Sequence, residues 1–105
     1  MDQSLKEVVR AEVMKYAKLG MNYRGYFTEN PEVPVYSVVT ITDQIGKFHA
    51  NAMLIVRIVE NLVIIERDQN DKVLVDALVQ AGVPRSQIIL AYIDEPVPAH
   101  AAWNA

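Results

Sequence analysis

Hydrophobic and polar positions change period several times along the chain, and each change marks an element. Ser4 followed by Glu7 has the S-x-x-E spacing of a capping box. From Leu5, the residues Val8, Val9, Val13, Tyr16, Ala17 and Leu19 keep helical spacing up to Gly20, so a first helix is expected over that stretch. Glu12 projects into the apolar arc of this helix, where a carboxylate is costly unless its head reaches water or a Lys or Arg partner. Tyr23 to Thr28 reads as a short edge strand, and Asn30-Pro31-Glu32-Val33-Pro34 ends it with a rigid connection. Three β-prone runs follow: Val35 to Thr42, Lys47 to Glu60 and Leu62 to Arg67. Turn residues at 43–46 and at Glu60-Asn61 separate them. Antiparallel hairpins are the expected result.

The clearest stretch is Asp71 to Tyr92. Asn70 or Asp71 is placed to cap a helix from Val73 to Ala81, and Gly82 supplies the residue able to take positive φ at its end. Val83-Pro84-Arg85-Ser86 makes a tight connection, and Ile88 to Ile93 is an apolar run of strand length. On a helical wheel Lys72, Asp76 and Gln80 form one narrow polar stripe, and the remaining circumference is apolar. The pattern therefore predicts an α+β domain spanning residues 1–105. Its antiparallel sheet has about four to five strands, with an N-terminal helix and a second helix before the last strand.

Alternation along Lys47 to Glu60 puts Phe48, Ala50, Ala52, Leu54, Val56 and Ile58 on one face. His49, Asn51, Met53, Ile55, Arg57 and Val59 fall on the other. Two helices cover one side of such a sheet, so Met53, Ile55 and Val59, with Val97 and Trp103 of the tail, are expected to form an interface that a second copy buries as a homodimer.

Composition narrows the function. Of 105 residues, 51% are hydrophobic and 22% charged, which fits a globular chain rather than an extended disordered one. The absence of cysteine excludes disulfides and thiolate chemistry. With no basic-then-apolar leader and no apolar run near ~20 residues, a soluble cytoplasmic protein is expected, without a membrane partner. A net charge of −3 argues against binding nucleic acid through its phosphates. Lys6, Arg10, Lys15 and Lys18 lie along one helix face, but Glu7 interrupts them and local ion pairs account for the pattern.

His49 and His100 stand alone, without metal-ligand spacing. Asp68-Gln69-Asn70-Asp71 opens like a calcium loop, yet its glycine is missing and Val79 occupies the place of the bidentate glutamate. Asp43, Glu66 and Asp68 could gather around magnesium near strand ends, which makes a metal-dependent nuclease the alternative reading. No phosphate loop or nucleophile elbow is present. No catalytic, metal or cofactor-binding residue is therefore assigned, and a non-enzymatic protein is expected.

The order of helix, hairpin strands, LVIIERD at 62–68, then Ala81-Gly82-Val83-Pro84 and Gln87-Ile88-Ile89-Leu90, resembles the XisI family, the fdxN element excision controlling factors of filamentous cyanobacteria. The family usually carries a Gly-Trp pair in the central hairpin and an aromatic, basic tail. Here Gln44-Ile45-Gly46 and EPVPAHAAWNA stand in those places. The resemblance implies a small α+β regulatory or adaptor protein that assists excision of a DNA element by a separate recombinase, through protein contacts. It also implies a companion factor of the XisH type, and direct DNA binding is the further alternative.

Overall fold

The computed structural model describes residues 4–30, 32–43, 46 and 49–102. Helix α1 (Leu5–Met14) begins where the capping pattern put it: the backbone N–H of Glu7 donates to Ser4 Oγ at 3.2 Å. The reciprocal half of the box differs, because the Ser4 hydroxyl donates to the Glu7 carboxylate at 3.0 Å. The helix ends five residues before the predicted stop. Tyr16 and Ala17 leave it in tight 3-10 hydrogen bonds, N–H to Val13 and Met14 carbonyls, while still packing on the core. Burial thus kept the apolar spacing after the helix had ended. Glu12 is half-buried, with its side chain 16% exposed, and finds its counterion in Lys15 at 2.8 Å.

The chain after α1 doubles back along β1 (Tyr23–Asn30). Gly20 N–H donates to Tyr23 O at 2.9 Å, Gly25 N–H donates to Lys18 O at 2.8 Å, and Leu19 bridges Arg24. Gly25 permits this crossing: a Cβ there would sit 3.0 Å from Lys18 N and 3.1 Å from Lys18 O. The sheet continues with β2 (Val35–Thr42), β3 (Ala50–Val59), β4 (Leu62–Asp68) and β5 (Ile88–Leu90), in the spatial order β1-β2-β3-β4-β5. The first four strands pair antiparallel, whereas β5 runs parallel to β4, so the sheet is mixed rather than wholly antiparallel. That parallel pair needs a crossover, and α2 (Leu74–Gln80) supplies it. Gly82, at φ +104°, ends α2, with Val83 N–H donating to Leu78 O at 3.0 Å. Of the expected strand Ile88 to Ile93, the second half, Ala91–Ile93, is a 3-10 turn.

The core lies between the helices and one sheet face. Val9 and Val13 of α1, Tyr36 and Val38 of β2, Leu54, Val56 and Ile58 of β3, Val63 and Ile65 of β4, and Leu74 and Leu78 of α2 are buried together. Two bulges alter the expected alternation. β3 carries Met53 as an extra residue between the pairs Val39↔Ala52 and Val38↔Leu54, and β4 carries Glu66 between Val56↔Ile65 and Ile55↔Arg67. On the second face, Ile64 is fully buried outside the principal core cluster, as is nearly all of Ala101. His100 Nε2 lies 3.9 Å from Glu60 Oε2 at the β3–β4 turn, which brings the C-terminal stretch back to the β4 side of the sheet.

Candidate functional site

Because α1 ends early, it leaves the helix-side face of the sheet open beyond its last turn. An open cleft of about 680 Å³ occupies that space. Thr40 and Thr42 of β2 and Asn51 of β3 form its floor, with Thr40 and Asn51 as register partners. The bulge turns Met53 into the same cleft. One wall is Tyr16 and Lys18, with Tyr23 from the start of β1, and the opposite wall is the loop 69–72. The walls are joined: the Tyr16 hydroxyl donates to Lys72 O at 2.7 Å. Burial, and then the nearby carboxylates Asp68, Glu12 and Asp76, push the Tyr16 pKa up to about 12, so the phenol stays a neutral donor through the physiological range.

The loop owes its shape to Asp68. Its Oδ1 accepts from Asn70 N–H at 3.0 Å and from Asn70 Nδ2 at 2.8 Å, while Oδ2 accepts from Leu74 N–H at 2.7 Å. The expected caps Asn70 and Asp71 do not cap α2: Val73 stands at the cap position without a side-chain bond, and Asp68 accepts from the Leu74 N–H from six residues upstream. Beside the cleft, Asn51 Nδ2 donates to Gln69 Oε1 at 2.9 Å.

The acids considered for magnesium are separated by these contacts. Glu66 pairs with Arg57 at 2.5 Å, Asp68 is buried beneath the loop, and Asp43 is exposed after β2. Among the described residues no three His, Cys, Asp or Glu side chains gather in a way that could hold a metal. The basic residues of the first helix are dispersed as well: Arg10 pairs with Glu29 of β1 at 2.7 Å and lies over the Phe27 ring, and Lys15 pairs with Glu12. The Arg10 guanidinium holds the Glu29 carboxyl below its ordinary range, mainly by hydrogen bonding.

Of the residues expected at an interface, Ile55 and Val59 are half-buried on the second face, and Met53 lines the cleft instead. Trp103 lies outside the described residues. The second face also carries Tyr26 at 48% and Ile41 at 39% exposure, apolar positions that the reading of a single strand missed because they belong to β1 and β2. Among the described residues no helix is long and apolar enough to cross a membrane.

Comparison with known proteins follows the same architecture. The family model described as XisI protein matches residues 2–102. A solved XisI-like protein from Anabaena variabilis ATCC 29413 superposes with a TM-score of 0.73 at 19% identity, covering 89% of this chain and 95% of its own. The fdxN element excision controlling factor XisI from the same organism gives a TM-score of 0.68 at 19% identity, covering 92% of this chain and 94% of its own. At that identity the two structures establish the likeness of fold. No curated protein matches the chain.

Proposed function

The chain belongs to the XisI family, and from that premise we propose that it is a non-enzymatic regulatory factor that assists a separate recombinase in excising a DNA element. It acts through protein contacts, in the cytoplasm, beside a companion of the XisH type. One observation carries this reading over the nuclease alternative: of the three acids a metal-dependent nuclease would pool here, Asp68 is committed to the α2 cap and Glu66 to Arg57, which leaves Asp43 as the exposed one. The test uses purified chain, supercoiled plasmid and magnesium. The plasmid stays intact if the reading holds. Cleavage that disappears in Glu66→Ala, with the fold retained by circular dichroism, would overturn it.

The contact surface belongs to the same proposal. Register aligns Tyr26, Val39 and Ala52 in one row across the second face, next to Ile41 and Ile55. Two copies pairing through this face would form the homodimer, for which about 800 Å² per subunit is sufficient. Ile55→Asp, away from the helix-side core, then shifts the protein to monomer in sedimentation at tens of micromolar without unfolding it. Wild-type chain that sediments as a monomer at that concentration contradicts the dimer.

A further inference from the structure

The helix-side cleft carries chemistry that the proposed contact surface does not use. Four cations are neutralised, Arg10 by Glu29, Lys15 by Glu12, Arg57 by Glu66 and Arg85 by Glu95, whereas Lys6 of α1, Arg24 of β1 and Arg67 of β4 have no carboxylate within ion-pair distance among the described residues. Lys18 and Lys72 stand on opposite walls of the cleft, and among the described residues neither has a carboxylate within ion-pair distance. Among the described lining residues Asp71 is the one carboxylate that opposes them, with Asp68, Glu12 and Asp76 lying near Tyr16 behind the wall. Tyr23, 42% exposed as a residue, adds an aromatic ring that lies against Gly20. The floor adds the Thr40 hydroxyl, beside an Asn51 amide that is held in place by donating to Gln69 Oε1 at 2.9 Å and accepting from Arg67 at 3.3 Å, and Gln69 extends the polar surface along one wall. Two free cations, an aromatic face and a polar floor within about 680 Å³ suit a small ligand with a planar, hydrogen-bonding body and an anionic group.

We propose that this cleft binds a nucleoside monophosphate unit, its phosphate between Lys18 and Lys72, its base against Tyr23 and its polar edge over Thr40 and Asn51. The unit comes either from a free mononucleotide or from the 5′-phosphorylated end of a single strand. An extended duplex is disfavoured, because the charge is confined to two lysines rather than spread along a face. The proposal is independent of the regulatory reading: it is tested by binding to the purified chain, without recombinase or excision.

The experiment is nuclear magnetic resonance titration of the full chain with dAMP, deoxyadenosine, inorganic phosphate, a 5′-phosphorylated oligo-deoxyadenylate and a glutamate-rich peptide. Saturable shifts at Tyr23, Thr40 and Asn51 with dAMP are expected, weaker by tenfold or more with deoxyadenosine or phosphate alone. Comparable binding of the oligonucleotide would identify a strand end as the source, and binding of dAMP alone would identify the free nucleotide. Lys18→Ala/Lys72→Ala, two exposed positions that leave the core untouched, should weaken dAMP by at least tenfold. Tyr23→Leu should weaken it by about tenfold, the scale of one stacked base. The proposal is overturned if dAMP causes no saturable shift at millimolar concentration, if phosphate alone binds as well as dAMP, or if only the acidic peptide binds there.

Discussion

Replacing Asp68 tests the physical role assigned to it. Its side chain is buried at 9% residue exposure and satisfies three donors, one of them the N–H of Leu74, a residue with no solvent exposure. Asp68→Ala removes the acceptor that caps α2, a loss of about 1 kcal/mol. It also leaves the Leu74 N–H buried without a partner, which costs a further ~1–3 kcal/mol. The expected total is about 2–4 kcal/mol, a large part of the ~5–15 kcal/mol that stabilises a domain of this kind. Asp68→Asn keeps one carbonyl oxygen for Leu74 but gives up the charge and turns an amide N–H₂ toward the Asn70 donors, so a smaller cost of about 1–2 kcal/mol is expected. Urea unfolding followed by far-ultraviolet circular dichroism measures both, with an unchanged m-value as the sign that only stability has moved. The midpoint temperature of the alanine variant should fall by about 10 °C or more. An Asp68→Ala protein within about 0.5 kcal/mol of wild type, a surface-like effect, would refute the capping argument.

Three further outcomes follow from individual contacts. Gly25→Ala forces a Cβ against the backbone of Lys18 and should cost about 1–3 kcal/mol, read by chemical denaturation, with the strongest amide-shift changes in residues 17–20. The raised Tyr16 pKa means its neutral form is favoured in the fold, so its contribution is full below the ordinary tyrosine value near 10 and is lost as pH rises from there through about 12. Tyr16→Phe should lower stability by about 1 kcal/mol at pH 7 and flatten that alkaline loss in pH-dependent unfolding. Glu95 is shifted the other way: the Leu90 N–H at 2.8 Å, then Arg85 at 2.8 Å, hold its carboxyl below the ordinary range. Its contribution is present above that range and disappears as pH falls through the lowered value, so Glu95→Gln should be less stable than wild type near neutrality and match it in acid.

Much of the fold was legible because its signals are local. The Ser4 cap, the limits of β2, the Glu60-Asn61 turn and the Gly82 stop each depend on a few neighbouring residues. What was missed depends on contacts across the chain. Tyr16 and Ala17 kept helical spacing because they pack on the core from outside the helix. The α2 cap lies outside the one-turn window in which caps are sought, since Asp68 belongs to the preceding strand. Bulges at Met53 and Glu66 broke a period-two reading that had no means of seeing the register of neighbouring strands. The same bulge at Met53, with the early end of α1, makes the cleft. Its walls come from stretches near residues 16–23, 40–42, 51–53 and 69–72, so no linear motif announced it.

The central claim, regulation of excision by contact rather than by catalysis, is tested most directly by a reconstituted reporter. A DNA element flanked by its recombination sites is supplied with the recombinase and the XisH-type companion in a host lacking both, with and without this chain, and excised product is quantified by amplification across the new junction. Excision should depend on the chain, persist in Glu66→Ala, and fall in Ile55→Asp, whose second-face contact is removed while its core is left intact. Excision at the same level without the chain, or loss of excision in Glu66→Ala with Ile55→Asp fully active, would contradict it.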